Sequence, residues 1–204
     1  MTDQLAELIQ SDPGPWDLRL NIGSGNWRYE DCVNIDIEPK CNPDKVMDLT
    51  KKWDYDDDSV DVIRAYQVME HFVYDDWVFV LKEMYRCCRD GALVAIEIPD
   101  PRHDEYFGDP DHKIAIMPSA YRMLDKEVCH TCRANNLGNT PFALYNDVDF
   151  RMISQETVWD YNVLDFLGKK YAEEEEKEML ARVYNNIICK WRMIFRVKKG
   201  VYNS

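Results

Sequence analysis

The chain has 204 residues, 46% hydrophobic and 12% aromatic, a composition that folds and that excludes a disordered chain. Its 25 Lys+Arg against 38 Asp+Glu give a net charge of −13, a field that repels phosphate backbones and argues against nucleic acid as a general partner. No run of about 18 apolar residues exists to span a bilayer, and the first residues lack the basic-then-apolar pattern of a signal peptide.

Seven scattered cysteines without an export signal read as reduced thiols, so the expected compartment is cytoplasmic. Residues 1–15 read as an N-terminal extension. Leu5, Leu8 and Ile9 form one face of a helix that Asp12-Pro13-Gly14-Pro15 breaks. Short, β-branched, punctuated apolar runs at 18–22, 33–37, 45–49 and 60–66 predict four strands. From Asp75 to Arg89, the residues Trp77, Val80, Leu81, Met84, Tyr85 and Cys88 recur at steps of three and four. That spacing predicts a helix with Asp75 or Asp76 at its cap, Arg89 in its last turn and Gly91 at its exit. The nearly all-apolar run 92–98, interrupted by Glu97, reads as a strand covered on both faces. Alternating strand and helix predicts a mostly parallel sheet.

In the C-terminal half, Val148, Phe150 and Met152 alternate with polar residues and predict a strand within 143–153. Ser154 then caps a helix to about residue 167, and a second helix spans about 171–184. Trp191, Met193, Phe195 and Val197 predict a last strand over 187–199. Its basic face (Lys190, Arg192, Arg196, Lys198, Lys199) reads as a solvated edge paired with the acidic 173–178 helix.

The chemistry gathers at strand ends. The first strand closes with Gly23-Ser24-Gly25, where missing Cβ atoms let a ligand approach the backbone. Asp36 ends the second strand, the position from which a carboxylate accepts ribose hydroxyls. Asp48-Leu49 ends the third and offers a polar–apolar pair to an adenine; Tyr66-Gln67 ends the fourth. The competing reading of Asp36 and Asp48 is a turn cap. The stretch between Gly25 and Asp36 is too short for the full crossover helix, which needs about ten residues or more. A pyrophosphate is therefore poorly served, and a positive sulfonium without phosphates suits the acidic setting better.

In order, the chain carries residues 20–25 (LNIGSG), 33–36 (VNID), 48–50 (DLT), 59–63 (SVDVI), 70–72 (EHF), 81–86 (LKEMYR), Gly91 and Pro99-Asp100. This series resembles the class I S-adenosylmethionine (SAM)-dependent methyltransferases over roughly residues 18–125. The resemblance implies an α/β fold. Its sheet is seven-stranded and mostly parallel, with helices on both faces, the last strand antiparallel, and here a helical insert (154–186) between the final two strands. It also implies one domain over 1–204 and SAM as cofactor. By position, Gly23, Ser24 and Gly25 would approach the methionine part, Asp36 the ribose with Ile37 nearby, Asp48 and Leu49 the adenine, and Tyr66 and Gln67 the methionine end. The usual Pro-Gly-Gly before the fifth strand is replaced by Arg89-Asp90-Gly91-Ala92.

A hydroxyl or ammonium acceptor must lose a proton, and a neutral His with a pKa near about 6.5 is the natural base. His71, after Glu70, and His112, in the loop after the fifth strand, are the expected candidates; the bland alternative is capping or support. No metal is expected. The acids of 99–117 show no fixed ligand spacing, and Cys129 and Cys132 make only one C-x-x-C. The expected acceptor is a small molecule or sugar-like compound, with no membrane partner. A homodimer or protein partner through the insert is a further expectation. The rival readings are a non-catalytic subunit with this fold, and a different SAM chemistry such as aminocarboxypropyl transfer or cofactor cleavage.

Overall fold

A computed structural model describes residues 4–11 and 16–200; the Asp12–Pro15 break lies outside the described residues. The chain runs α1 (Gln4–Ser11), β1 (Arg19–Ile22), β2 (Val33–Asp36), β3 (Lys45–Val46), β4 (Val60–Tyr66), α2 (Tyr74–Cys87) and β5 (Cys88–Pro99). Four short helices follow: α3 (Asp104–Gly108), α4 (Pro118–Tyr121), α5 (Lys126–Ala134) and α6 (Phe142–Asn146). Then come β6 (Phe150–Trp159), α7 (Tyr161–Phe166), α8 (Glu174–Val183) and β7 (Ile188–Val197). The strands form one seven-stranded sheet in the order β3-β2-β1-β4-β5-β7-β6. β1 to β5 pair in parallel, and β7 runs antiparallel to both β5 and β6. The reversal at β1, between β2 and β4, opens a crevice at the carboxyl ends of these strands.

The strand alternation sorts two faces. Leu20, Ile22, Ile35, Ile63, Val94, Ile96, Met193 and Phe195 join the main core. Trp77, Val80, Leu81 and Met84 of α2, with Cys129 of α5 and Phe142 of α6, cover them. The other face is thinner: Val62, Leu93, Ala95 and Ile194 pack on Leu5 of α1. The insert helices α7 and α8 build a third cluster from Leu164 and Ala181, with Trp159, Ile187 and Ile188. Among the described residues, no helix is long and apolar enough to cross a membrane.

No helix forms between β1 and β2, as the short connection predicts. A polar network takes its place. Asn21 Nδ2 donates to the Trp27 carbonyl (2.8 Å) and to Asn34 Oδ1 (3.0 Å), and Asn34 Nδ2 donates to Asp44 Oδ2 (2.7 Å). The Arg64 guanidinium lies 4.5 Å from the centre of the Tyr29 ring. These bonds satisfy polar groups buried where a crossover helix would otherwise stand.

Several boundaries differ from the sequence pattern. The strand at 45–49 is only Lys45–Val46, and the helix expected over 171–184 is the shorter Glu174–Val183. Helix α2 stops at Cys87, and Cys88 and Arg89 already belong to β5. Cys88 pairs with Val60, and Gly91, at φ +79°, sits in a bulge of the β4–β5 ladder rather than at a helix exit. Cys88 falls on the apolar helical step and on the buried strand alike, so periodicity cannot separate the two; cross-strand pairing does. The helix expected from Ser154 does not form there either. Residues 154–159 continue β6, paired with β7 from Ser154 opposite Ile194 to Trp159 opposite Ile188. The actual cap is Asp160, whose carboxylate accepts from Asn162 N and Val163 N. Thr157, Val158 and Trp159 favour the strand once a neighbour supplies its hydrogen bonds.

The LKEMYR segment has a structural task. Glu83 accepts from Arg86 Nε (2.9 Å) and Nη2 (2.8 Å) and from Trp53 N (2.7 Å). Arg86 donates further to the carbonyls of Tyr55 (2.9 Å) and Trp53 (3.1 Å) and to Asp57 (2.7 Å). The pair ties the 53–57 loop to α2. The hydrogen bonds from Arg86 hold the Glu83 carboxyl below the usual carboxylate range, despite its burial. Its contribution is therefore full above the unfolded-state pKa of about 4.3 and fades as pH falls through the lowered value. In an acid titration followed by circular dichroism, Glu83→Gln is expected to be less stable than wild type at pH 7 and to lose stability less steeply below pH ~4.

Candidate active site

The glycine turn after β1 is dictated by its surroundings. Gly23 has φ +61°, and a Cβ there would lie 2.3 Å from Val68 Cγ2. Gly25 has φ +48°, and a Cβ there would meet nothing within 4 Å. Ser24 N donates to the Ile35 carbonyl (2.9 Å), and Gly25 N donates to Asp36 Oδ2 (2.7 Å), so β2 holds the turn in place. Across the crevice, Gln67 adopts φ +53°, a left-handed conformation uncommon for a residue with a side chain. Its N–H donates to the Glu97 carbonyl (2.9 Å).

These elements line a cleft of about 540 Å³ on the face of the sheet that α1 covers. Gly23, Ser24, Gly25, Tyr66 and Gln67 all line it, as do Trp27 and Tyr29 from the β1–β2 connection. Ser24 Oγ and Gln67 Nε2 are buried and make no hydrogen bond within the protein. The far wall is charged: Glu97, Glu156, Lys190 and Arg192. Arg192 Nε donates to Glu97 Oε2 (2.5 Å), Lys190 Nζ lies 3.6 Å from Glu97, and Arg192 Nη1 lies 3.6 Å from Glu156.

The sequence pattern misses this wall. Its signals were the lone acid in an apolar strand and the basic face of β7. That face does not pair with the acidic helix; it meets Glu97 and Glu156, and Lys199 meets Asp58 at 2.9 Å. The acids of α8 pair locally instead, Glu174 with Lys177 (2.9 Å) and Glu176 with Lys169 (2.6 Å). Strand β7 brings its cations to β5, a neighbour distant in sequence.

The remaining candidates sit around the cleft rather than in its wall. Asp36 Oδ1 accepts from Glu38 N (2.9 Å) while Oδ2 holds Gly25, so each oxygen keeps a lone pair for a further donor. Ile37 is 64% exposed next to it. Asp48 Oδ1 accepts from Thr50 N (2.9 Å) and Thr50 Oγ1 (2.7 Å), bonds that lower its carboxyl pKa. Leu49 is buried in the main core, and its carbonyl accepts from Trp53 Nε1 (3.0 Å).

His71 and His112 come together in a separate corner beyond β4, their ring centres 4.8 Å apart. His112 Nδ1 is 2.7 Å from the Tyr106 carbonyl oxygen, so it carries the proton and donates, leaving the lone pair on Nε2. Glu70 lies between this corner and the main core, and burial pushes its carboxyl up to about 7. His103 is not part of this corner: its Nε2 meets Asp160 Oδ2 (3.1 Å), and its Nδ1 accepts from Glu105 N (3.1 Å). Cys129 and Cys132 are buried thiols on α5, and all seven cysteines are free.

An open sheet in this order, with its last strand reversed, a glycine turn after β1 and an acid ending β2, defines the class I SAM-dependent methyltransferases. The Methyltransferase domain model matches residues 6–140, and the chain belongs to that family. No curated protein matches it. Its fold is similar to that of a SAM-dependent methyltransferase from Archaeoglobus fulgidus, at TM-score 0.55 and 16% identity, covering 96% of this chain and 94% of that one. It is also similar to the Haemonchus contortus phosphoethanolamine N-methyltransferase 2 in complex with SAM, at TM-score 0.54 and 12% identity, covering 96% of this chain and 52% of that one. A third likeness is to the complex of the Haloferax volcanii Trm112 methyltransferase activator with its methyltransferase, at TM-score 0.55 and 12% identity, covering 95% and 88%. At these identities the structural likenesses speak for the fold alone.

SAM is the cofactor of this family. The cleft fits it by its own chemistry: two buried polar atoms lack a protein partner, and the Gly25 backbone borders open space.

Proposed function

We propose that this methyltransferase acts on a small-molecule acceptor bearing a hydroxyl or amine, sugar-like compounds included. The observation that carries the cofactor half of the reading is the pair of partnerless buried atoms, Ser24 Oγ and Gln67 Nε2, lining the cleft beside the glycine turn. In this reading Gly23, Ser24, Gly25, Tyr66 and Gln67 hold the methionine end of SAM. Asp36 accepts the ribose hydroxyls, and Ile37, Asp48 and Leu49 border the adenine. SAM, when bound, supplies a methyl group already activated on a sulfonium, so positioning provides much of the rate. The chain's own work is to orient the acceptor and take its proton. His112, with its Nε2 lone pair set by the Tyr106 carbonyl, suits that role, and His71 lies against it. The wall of Glu97, Glu156, Lys190 and Arg192 offers both signs of charge to a polar acceptor. Because Lys190 and Arg192 are matched by acids, that wall favours no polyanion, which supports a small acceptor over nucleic acid.

Isothermal titration with SAM tests the cofactor half. Wild type is expected to bind, and Asp36→Ala to bind about ten-fold more weakly or worse, because it removes the ribose acceptor and unties Gly25. No binding by wild type, or equal binding by the variant, defeats the reading. Product analysis tests the chemistry: S-adenosylhomocysteine supports methyl transfer, and methylthioadenosine points to the rival reaction.

A further inference from the structure

We propose that Glu70, His71 and His112 form a binding site for one divalent transition-metal ion of the zinc class, with Asp109 beside it as a further ligand. The site rests on the function proposed above for its role and changes one part of it. With the ion bound, the His112 Nε2 lone pair is spent as a ligand, and the ion, in place of a free imidazole, polarises the acceptor's hydroxyl or amine. The binding itself stands apart from SAM. One ligand atom from each of the three residues lies within 4.8 Å of the others. Around a zinc ion with bonds of about 2.0–2.2 Å, tetrahedral ligand atoms sit about 3.4 Å apart, so closure asks for movements of ~1 Å. The His71 side chain is 30% exposed and has room for it.

Three observations point to a cation. Glu70 is 3% exposed, and neither carboxylate oxygen has a hydrogen-bond partner in any other residue. Buried carboxylates rarely go without one. The nearest imidazole nitrogen, His112 Nε2, is 4.0 Å from Oε1, too far for a hydrogen bond and wide enough for an intervening ion to draw the two together. His112 is also set as a ligand: its Nδ1–H is spent on the Tyr106 carbonyl, which leaves the lone pair on Nε2, 4.0 Å from Glu70 Oε1 and 3.9 Å from Asp109 Oδ2. A backbone carbonyl on the second nitrogen is the usual support of a metal-bound histidine. The segments that carry Glu70 and His112 are fastened together without the ion. Lys113 N (2.8 Å) and Ile114 N (3.2 Å) donate to the Glu70 carbonyl.

The surrounding charge agrees. Glu97 and Asp109 add negative charge around Glu70, and Lys190 opposes them but is shared with Glu97 at 3.6 Å. Lys113 is drawn to Asp111 (3.3 Å), which also meets His71 (3.4 Å). Two imidazoles and a carboxylate suit zinc and its neighbours, whereas magnesium and calcium want an all-oxygen shell. A second cluster, His103, Asp160 and Cys189, lacks this character because both ring nitrogens of His103 are already engaged.

Equilibrium dialysis of chelator-stripped full-length protein against Zn²⁺, with a parallel Co²⁺ titration read in the visible, decides the matter. The expected result is one equivalent bound, weakened about ten-fold or more in His71→Ala, in His112→Gln and in Glu70→Gln. The cobalt spectrum is expected to show weak ligand-field bands and no thiolate charge-transfer band. His71 is partly exposed, so His71→Ala carries the test if a buried variant fails to fold by circular dichroism. Absence of stoichiometric binding, undiminished binding in His71→Ala, or a thiolate band overturns the site. SAM titrations on the same samples keep the two readings apart. SAM binding without zinc binding sinks the metal site alone, and zinc binding without SAM binding sinks the cofactor assignment alone.

Discussion

Gly23→Ala is expected to cost about 2–5 kcal/mol of stability, and Gly25→Ala only about 1–2 kcal/mol, while both lose SAM binding. Each position has positive φ, so any Cβ carries the left-handed strain of roughly 1–2 kcal/mol. At Gly23 a second cost is added. The new methyl would sit 2.3 Å from Val68 Cγ2 and 2.7 Å from Val68 Cβ, and Val68 is itself only 8% exposed. Forcing such a clash typically costs a further ~1–3 kcal/mol. At Gly25 the methyl enters open space bordering the cleft, where it meets no protein atom but would meet a bound cofactor. Thermal melts paired with SAM titration separate the two roles. In the double variant Gly23→Ala/Val68→Gly, which removes both contacting carbons, the two losses are expected to be less than additive, without recovery of binding. Equal melting of the two single variants would show that the Val68 contact has no weight, and full SAM affinity in Gly25→Ala would remove the glycine turn from the cofactor site.

Arg86→Ala is expected to lower stability by about 2–3 kcal/mol, well beyond the usual effect of a surface residue. Arg86 is the hub of five hydrogen bonds to Glu83, Tyr55, Trp53 and Asp57, and its removal leaves Glu83 a buried carboxylate with only Trp53 N for company. The loss comes from that stranded charge more than from the ion pair itself, so Glu83→Gln/Arg86→Ala is expected to be more stable than Arg86→Ala alone. Denaturant melts of the two variants check it. A double variant no more stable than the single one would show that the loop carbonyls, and not Glu83, set the cost.

Much of the frame is legible in the linear pattern because it depends on local spacing. Short punctuated runs mark β1, β2 and β4, and the three-and-four periodicity marks α2. The short 26–32 connection rules out a crossover helix by length alone. The glycine turn and the acid ending β2 are likewise readable, since both rest on residue type at a strand end.

What only the tertiary structure decides is whatever depends on a partner far along the chain. Cys88 joins a strand because Val60 offers it hydrogen bonds, and residues 154–159 extend β6 because β7 lies beside them. The charged wall exists because β7 inserts between β5 and β6, carrying Lys190 and Arg192 to Glu97 and Glu156. Forty residues separate His112 from the adjacent pair Glu70-His71, and it joins them through the two backbone hydrogen bonds that Lys113 and Ile114 donate to the Glu70 carbonyl. Periodicity records which face of an element is buried; it holds no record of which distant element does the burying.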